Sequence, residues 1–293
     1  MAGEIINFLF TGTLSGAYIS LIALGYSLVY GVGHIMNLSH GSFFMLTGYL
    51  LLWFMNFFYD FLWLSVLLSI VIVTTIGGLA YILLIKPLQE TSVGVVLITF
   101  GLAFGIEQYV LIISGTDSFA INSYLLVQGY TEIFGYRMIN QFILLIVTSL
   151  LIVSTFALFI NKSKLGKSIR AVSQDREAAT LMGINSNRIL LYTVMISAFL
   201  ASIAGFLYLP AAALSGPSMG FSSLTSAFAV VILGGMGSLI GSVVGSYIVG
   251  FVTSYTINFI PNGPSWAHLI PIIIIIMMLL IRPQGLFGKK ELM

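Results

Sequence analysis

The chain has 293 residues, 59% of them hydrophobic and only 7% charged, against about 25% charged in an ordinary soluble domain. Eleven Lys/Arg and nine Asp/Glu cannot cover a soluble protein of this size, so much of its apolar surface must face lipid. That excludes a soluble enzyme and a disordered chain; a net charge of +2 excludes a nucleic-acid-binding surface, and zero Cys excludes disulfides and Cys-based metal or redox sites.

A bilayer-crossing helix needs about 20 apolar residues. Such runs lie near 7–30, 37–58, 61–85, 91–114, 138–160, 189–214, 239–260 and 265–281. A shorter apolar stretch, 222–236, reads as a tilted, half-length or re-entrant helix. The expected fold is therefore an all-α polytopic membrane protein with about 8–10 transmembrane helices, some broken or re-entrant. Residues 1–293 read as a single transmembrane domain. The first run lacks a basic region and carries only Glu4 early, so it is expected to be a span and not a cleaved signal.

The first break is Gly31-Val-Gly-His-Ile-Met-Asn-Leu-Ser-His-Gly41. Unwound backbone at membrane depth persists only when buried in protein or lining a wet cavity. Asn37, Ser39, His40 and Gly41 are thus candidates for a translocation path, and a simple turn between two spans is the alternative. His34 and His40 stand six residues apart and would face different ways on one helix. No further metal ligands are near in sequence, so each ring is expected to hydrogen-bond freed backbone. Glu107 is the one acid well inside a span, a further path candidate; the alternative is that, near the outer end of 91–114 with Gln108 beside it, it reaches the interface. Gly12/Gly16, Gly101/Gly105 and Gly237/Gly241/Gly245 recur every four residues, a spacing that brings helices close.

Residues 115–137 form a loop with Asp117, Asn122, Gln128 and Glu132, expected to cap the outer face and to serve as a docking surface. Residues 162–188 are basic. Gly166-Lys-Ser168 resembles the end of a phosphate-binding loop, but Asn161 stands where glycine is required and no strand precedes it. Asp175 can cap a short helix over 176–182 that Gly183 ends. The second break, Leu233-Gly-Gly-Met-Gly-Ser238, adds Gly234, Gly235, Gly237 and Ser238 as path candidates. Breaks at corresponding positions of two halves point to a path, so 31–41 and 233–241 are a candidate pair.

Ten of the eleven bases fall on one side of this arrangement, with Arg137 alone on the other. The positive-inside rule then puts the N-terminus outside, the C-terminus inside and nine spans between. Trp53, Trp63 and Trp266 fall near the outer ends.

Glu177-Ala-Ala179 followed by Gly183 fits the E-A-A-x-x-x-G signature of ABC importer permeases. Ala23-Leu-Gly-Tyr-Ser-Leu-Val-Tyr-Gly31, Asn37-Leu-Ser-His-Gly41, Leu165-Gly-Lys-Ser-Ile-Arg-Ala171, Leu181-Met-Gly-Ile-Asn185, Leu233-Gly-Gly-Met-Gly-Ser238 and Arg282-Pro-Gln-Gly-Leu-Phe-Gly288 all resemble the branched-chain amino acid ABC permease family, LivH type. The resemblance covers residues 10–290 and is loose over 115–137. It implies a permease subunit of the plasma (inner) membrane that is no enzyme and binds no cofactor itself. ATP would be used by two cytoplasmic ATP-binding subunits. A second related permease and an external substrate-binding protein would complete the transporter, and the cargo would be a small molecule. Asp175, Arg176, Glu177, Ala178, Ala179 and Gly183 would form the helix that couples to an ATPase. The alternatives are a permease for urea or short amides, and an ATP-independent secondary transporter using Glu107 and the histidines.

Overall fold

The computed structural model describes residues 2–58, 61–116, 125–133, 135–212, 214 and 216–288. Asp117, Asn122, Lys289 and Lys290 lie outside them. Seven helices among the described residues are long and apolar enough to span a membrane, and two shorter apolar helices accompany them. The fold is all-α and polytopic, as expected.

Three helices open the chain. α1 (Ala2–Gly33) is about 48 Å long at 1.5 Å per residue, well beyond a 30 Å hydrocarbon core. α2 (His40–Phe58) is shorter, and α3 (Leu62–Ala80) continues through a π-helical turn, Tyr81–Ile85, into α4 (Lys86–Leu88). α5 (Ser92–Ser114) then runs the other way. Further along the chain come α6 (Asn140–Lys162), an amphipathic α7 (Lys164–Gln174) and the short α8 (Arg176–Leu181). α9 (Ser186–Ala212), α10 (Met219–Gly234), α11 (Leu239–Phe259), α12 (Gly263–Ala267) and α13 (Ile270–Ile281) complete the chain.

The two halves repeat one plan in opposite directions. α1 and α9 are antiparallel, with Tyr18 stacked on Tyr208 at one level and Gly33 against Leu190 at another. α1 is followed by a stretch that folds back alongside it and then by α2, which starts part-way along its length; α10 starts beside the first turn of α2. α2 and α10 are each followed by a full-length helix that packs on the other half's arrangement: α11 lies on α1, and α3 lies on α9. Glycine makes the closest of these approaches. Gly250 of α11 lies against the Gly16 backbone, and Gly77 of α3 against Ala198. In lipid such backbone proximity, not apolar burial, holds helices together.

Basic residues gather at one end. Gln89 bonds Asn187, Arg176 lies near Tyr81, and Leu286 N–H donates to the Leu233 carbonyl, so 81–92, 162–188 and 282–288 share that end. At the other end Asn7 Nδ2 donates to Asn258 Oδ1 at 2.8 Å. There lies a small antiparallel hairpin, β1 (Tyr130–Ile133) and β2 (Tyr136–Ile139), within residues expected to be a loop. Tyr136 ties it to α1 through a 2.7 Å bond to Asn7, and Glu132 faces Arg137 at 3.7 Å.

Candidate functional site

The first break is a fold-back inside the protein. The chain leaves α1 at Gly33, and His34 adopts φ +52°, which lets it turn back along the same helix. Asn37 Oδ1 accepts from the Ser39 N–H (3.1 Å) and the Ser39 hydroxyl (2.6 Å). Leu38 N–H donates to Thr99 Oγ1 of α5 at 3.2 Å. α2 therefore begins beside Ile22, about 16 Å short of the end of α1. Asn37, Ser39 and His40 are buried, so their polar groups are satisfied by protein. His34 is exposed and packs on Tyr30, so the two histidines do not share a site. A side chain at Gly41 would run into the Gly220 carbonyl and Leu224.

That contact locates the partner of this break. Gly220 is in the first turn of α10, so α2 and α10 start at the same depth and point away from each other. Two helix N-termini, each carrying about half a positive charge, meet there. Glu107 of α5 answers one of them: its carboxylate accepts from the Phe221 backbone N–H and lies against Gly220. Beside it is a cavity of about 310 Å³ walled by Leu38, Phe100, Phe104, Phe221 and Leu224.

The pairing of 31–41 with 233–241 is corrected by this geometry. Gly41, at the far end of the first break, meets the first turn of α10, and the sequence Ser215-Gly216-Pro217-Ser218 that precedes α10 is a turn signal. Residues 235–238 instead make a tight turn at the basic end, with φ +101° at Gly235 and +82° at Gly237. Gly234 lies directly on Gly241, where any side chain would collide with backbone. Ser238 caps α11 by accepting from Gly241 N–H at 3.1 Å. The 282–288 tail covers the turn, with Phe287 N–H donating to the Gly234 carbonyl at 3.0 Å. Gly237 also touches Gly31, on the wall of a cleft of about 660 Å³ between α1, α6, α7 and α11.

The basic loop 162–188 holds two helices. Its first part is a full helix, α7, capped by Ser163, which accepts from Gly166 N–H at 2.8 Å. α7 buries Gly166, Ile169 and Val172 and leaves Lys164, Lys167 and Arg170 exposed. Asp175 then caps α8, its Oδ1 accepting from Ala178 N–H at 2.9 Å. Ala179 is buried against the body of the protein, and Thr180 bonds Ser186 at 2.7 Å. Arg176 donates to Asn187 Oδ1 at 3.0 Å. Gly183, at φ +85°, ends the helix by donating to the Thr180 carbonyl at 3.0 Å. Glu177 and Ala178 are exposed, but the tip consists of Leu181 and Met182, 89% and 84% exposed. These two form an exposed apolar tip on α8.

Comparison with known proteins agrees with this architecture. The family model for "Branched-chain amino acid transport system / permease component" matches residues 8–279. The chain is 27% identical to the high-affinity branched-chain amino acid transport system permease protein LivH of Escherichia coli, over 97% of this chain and 95% of that one. It is 29% identical to BraD of Pseudomonas aeruginosa, a protein of the same description, over 97% and 95% of the two chains. Among solved structures it is similar in fold to PsaBC from Streptococcus pneumoniae in complex with Fab, with a TM-score of 0.53, 14% identity and 98% of each chain covered.

Proposed function

This chain belongs to the family of permease components of branched-chain amino acid transport systems, and we propose that it imports branched-chain amino acids as the membrane-spanning subunit of an ATP-driven transporter. Membership implies ATP-binding and substrate-binding partners. In the finer reading, one external protein delivers the cargo, two ATP-binding subunits sit below, and a second related permease completes the path. The chain itself binds no cofactor and performs no covalent chemistry.

The observation that carries the coupling role is the geometry of α8. A two-turn helix is too small to be a domain, yet it is capped at both ends, anchored through Ala179 and tipped by two exposed apolar side chains. Such a knob fits a groove in a partner. Its basic surroundings support placing this end on the cytoplasmic side, with the N-terminus outside and the C-terminus inside. ATP-driven closure of the partner subunits would push on α8. α8 is joined to α9 through Gly183 and the Thr180–Ser186 bond, and α9 carries the start of α2. Movement at the knob thereby reaches the meeting point of the two half-length helices and opens the path to alternate sides.

Uptake of labelled leucine, isoleucine and valine tests this reading, with urea as competitor and ATP present or depleted, in vesicles holding the assembled transporter. ATP-dependent leucine uptake that urea leaves unchanged is the expected result. Uptake that persists without ATP and collapses with the ion gradient would overturn it.

A further inference from the structure

Glu107 has one charge and more acceptor capacity than its cap uses. A carboxylate offers about four acceptor positions, and the Phe221 N–H fills one. Among the described residues no basic side chain is paired with it. An ionised carboxylate turned to lipid is costly, so this face of α5 and α10 is turned to water or to protein. Its surroundings agree. Ser222 is exposed one residue beyond Phe221, and Ser42 and Ser218 line the adjoining cavity. The cavity beside Glu107 is mostly apolar, with Ser42 and Ser218 its other polar lining residues, and at about 310 Å³ it sits at the small end of ligand pockets.

One carboxylate beside an aromatic and aliphatic wall matches a molecule with a primary ammonium and a branched apolar side chain. We propose that Glu107 is the contact for the cargo's α-ammonium group, with Phe100, Phe104, Phe221 and Leu224 receiving its aliphatic side chain. This rests on the amino-acid transport reading and names the site at which that cargo is held in passage. Phe100, Phe104 and Phe221 are each about half exposed in the single chain. The wall is therefore open on one side, where the second permease would close it.

The test separates the charge of Glu107 from its cap. E107Q keeps an oxygen for the Phe221 N–H and loses the charge; E107D keeps the charge on a shorter arm; E107A loses both. Leucine uptake and recovery of the assembled transporter are measured for all three beside the wild type. E107Q is expected to assemble normally and to take up leucine about tenfold or more slowly, with E107D recovering part of the rate. E107Q transporting leucine like the wild type, while E107A alone is lost, would reduce Glu107 to a helix cap and overturn the inference without touching the transport reading. E107Q and E107D equally inactive in fully assembled transporter would overturn it too, because side-chain length and not charge would then decide. A wild type that takes up no leucine would sink the transport reading and this inference together.

Discussion

His40, the first residue of α2, is bound to Ser197 near the middle of α9, its Nδ1 lying 3.0 Å from the Ser197 Oγ. The other ring nitrogen, Nε2, lies 2.8 Å from the Ile22 carbonyl of α1. A carbonyl only accepts, so Nε2 carries the proton and Nδ1 accepts from the serine hydroxyl. One buried imidazole therefore fixes the start of a half-length helix to one long helix of each half.

H40A should destabilise the folded chain by about 2–3 kcal/mol, because it leaves two buried polar groups short of a partner and opens a void. S197A removes one bond and should cost about 1 kcal/mol. Thermal unfolding in detergent measures both. An H40A midpoint equal to the wild type's would show that the ring does not hold α2. G25A should behave like H40A, since a β-carbon there would stand 2.9 Å from the His40 ring.

The tip of α8 supports a different prediction. Leu181 and Met182 touch little of their own chain, so L181D and M182D should alter stability by no more than about 0.5 kcal/mol. Both should abolish uptake and recovery of the ATP-binding subunits with this chain, while membrane insertion is unchanged. E177K is expected to do the same from the exposed flank. Wild-type uptake in all three would remove the coupling role from α8.

Asp175 and Gly183 act on the same helix through its ends. D175A removes the acceptor for Ala178 N–H and should cost about 1 kcal/mol locally, whereas D175N keeps an acceptor and should cost less. G183A forces a β-carbon into left-handed backbone at about 1–2 kcal/mol, and G183P removes the N–H that closes the helix on Thr180. Faster amide exchange over 176–181, with the long helices unchanged, is the expected signature. Uptake should fall in the order D175N, D175A, G183P.

The spans were legible because lipid imposes a length and a composition on any helix that crosses it. The cap at Asp175 and the stop at Gly183 were legible because each needs a particular residue type at one position. The start of α10 was harder to read. The sequence before it, Ser215-Gly216-Pro217-Ser218, joins runs that are apolar on both sides, and hydropathy does not encode depth. Leu233-Gly-Gly-Met-Gly-Ser238 looked like the stronger break because it holds more glycine. Those glycines serve close backbone contacts with Gly31, Gly241 and the tail. Thr99 and Ser197 could not be picked out among many hydroxyl residues in spans, because what distinguishes them is the segment they face. The strands 130–133 and 136–139 were missed because short polar stretches carry weak periodicity, whereas α7 had a readable helical spacing in Leu165, Ile169 and Val172.

Identical glycine spacing has two meanings here, and the last prediction separates them. On α1 and α11, Gly16 and Gly250 face each other so closely that a side chain on Gly250 would stand 2.5 Å from the Gly16 backbone nitrogen. G250L or G16L must push the two helices apart, a strain of about 1–3 kcal/mol or more, and should lower the yield of folded chain. On α5, Gly101 and Gly105 have nothing within 4 Å. G101L and G105L meet no neighbour and should leave yield and thermal midpoint unchanged. If that smooth face receives a helix of the second permease, as small-residue stripes in membranes commonly do, the same two substitutions should prevent recovery of the paired subunits. They should then abolish uptake without harming the chain itself. Full pairing and uptake in G101L and G105L would assign that face of α5 to lipid.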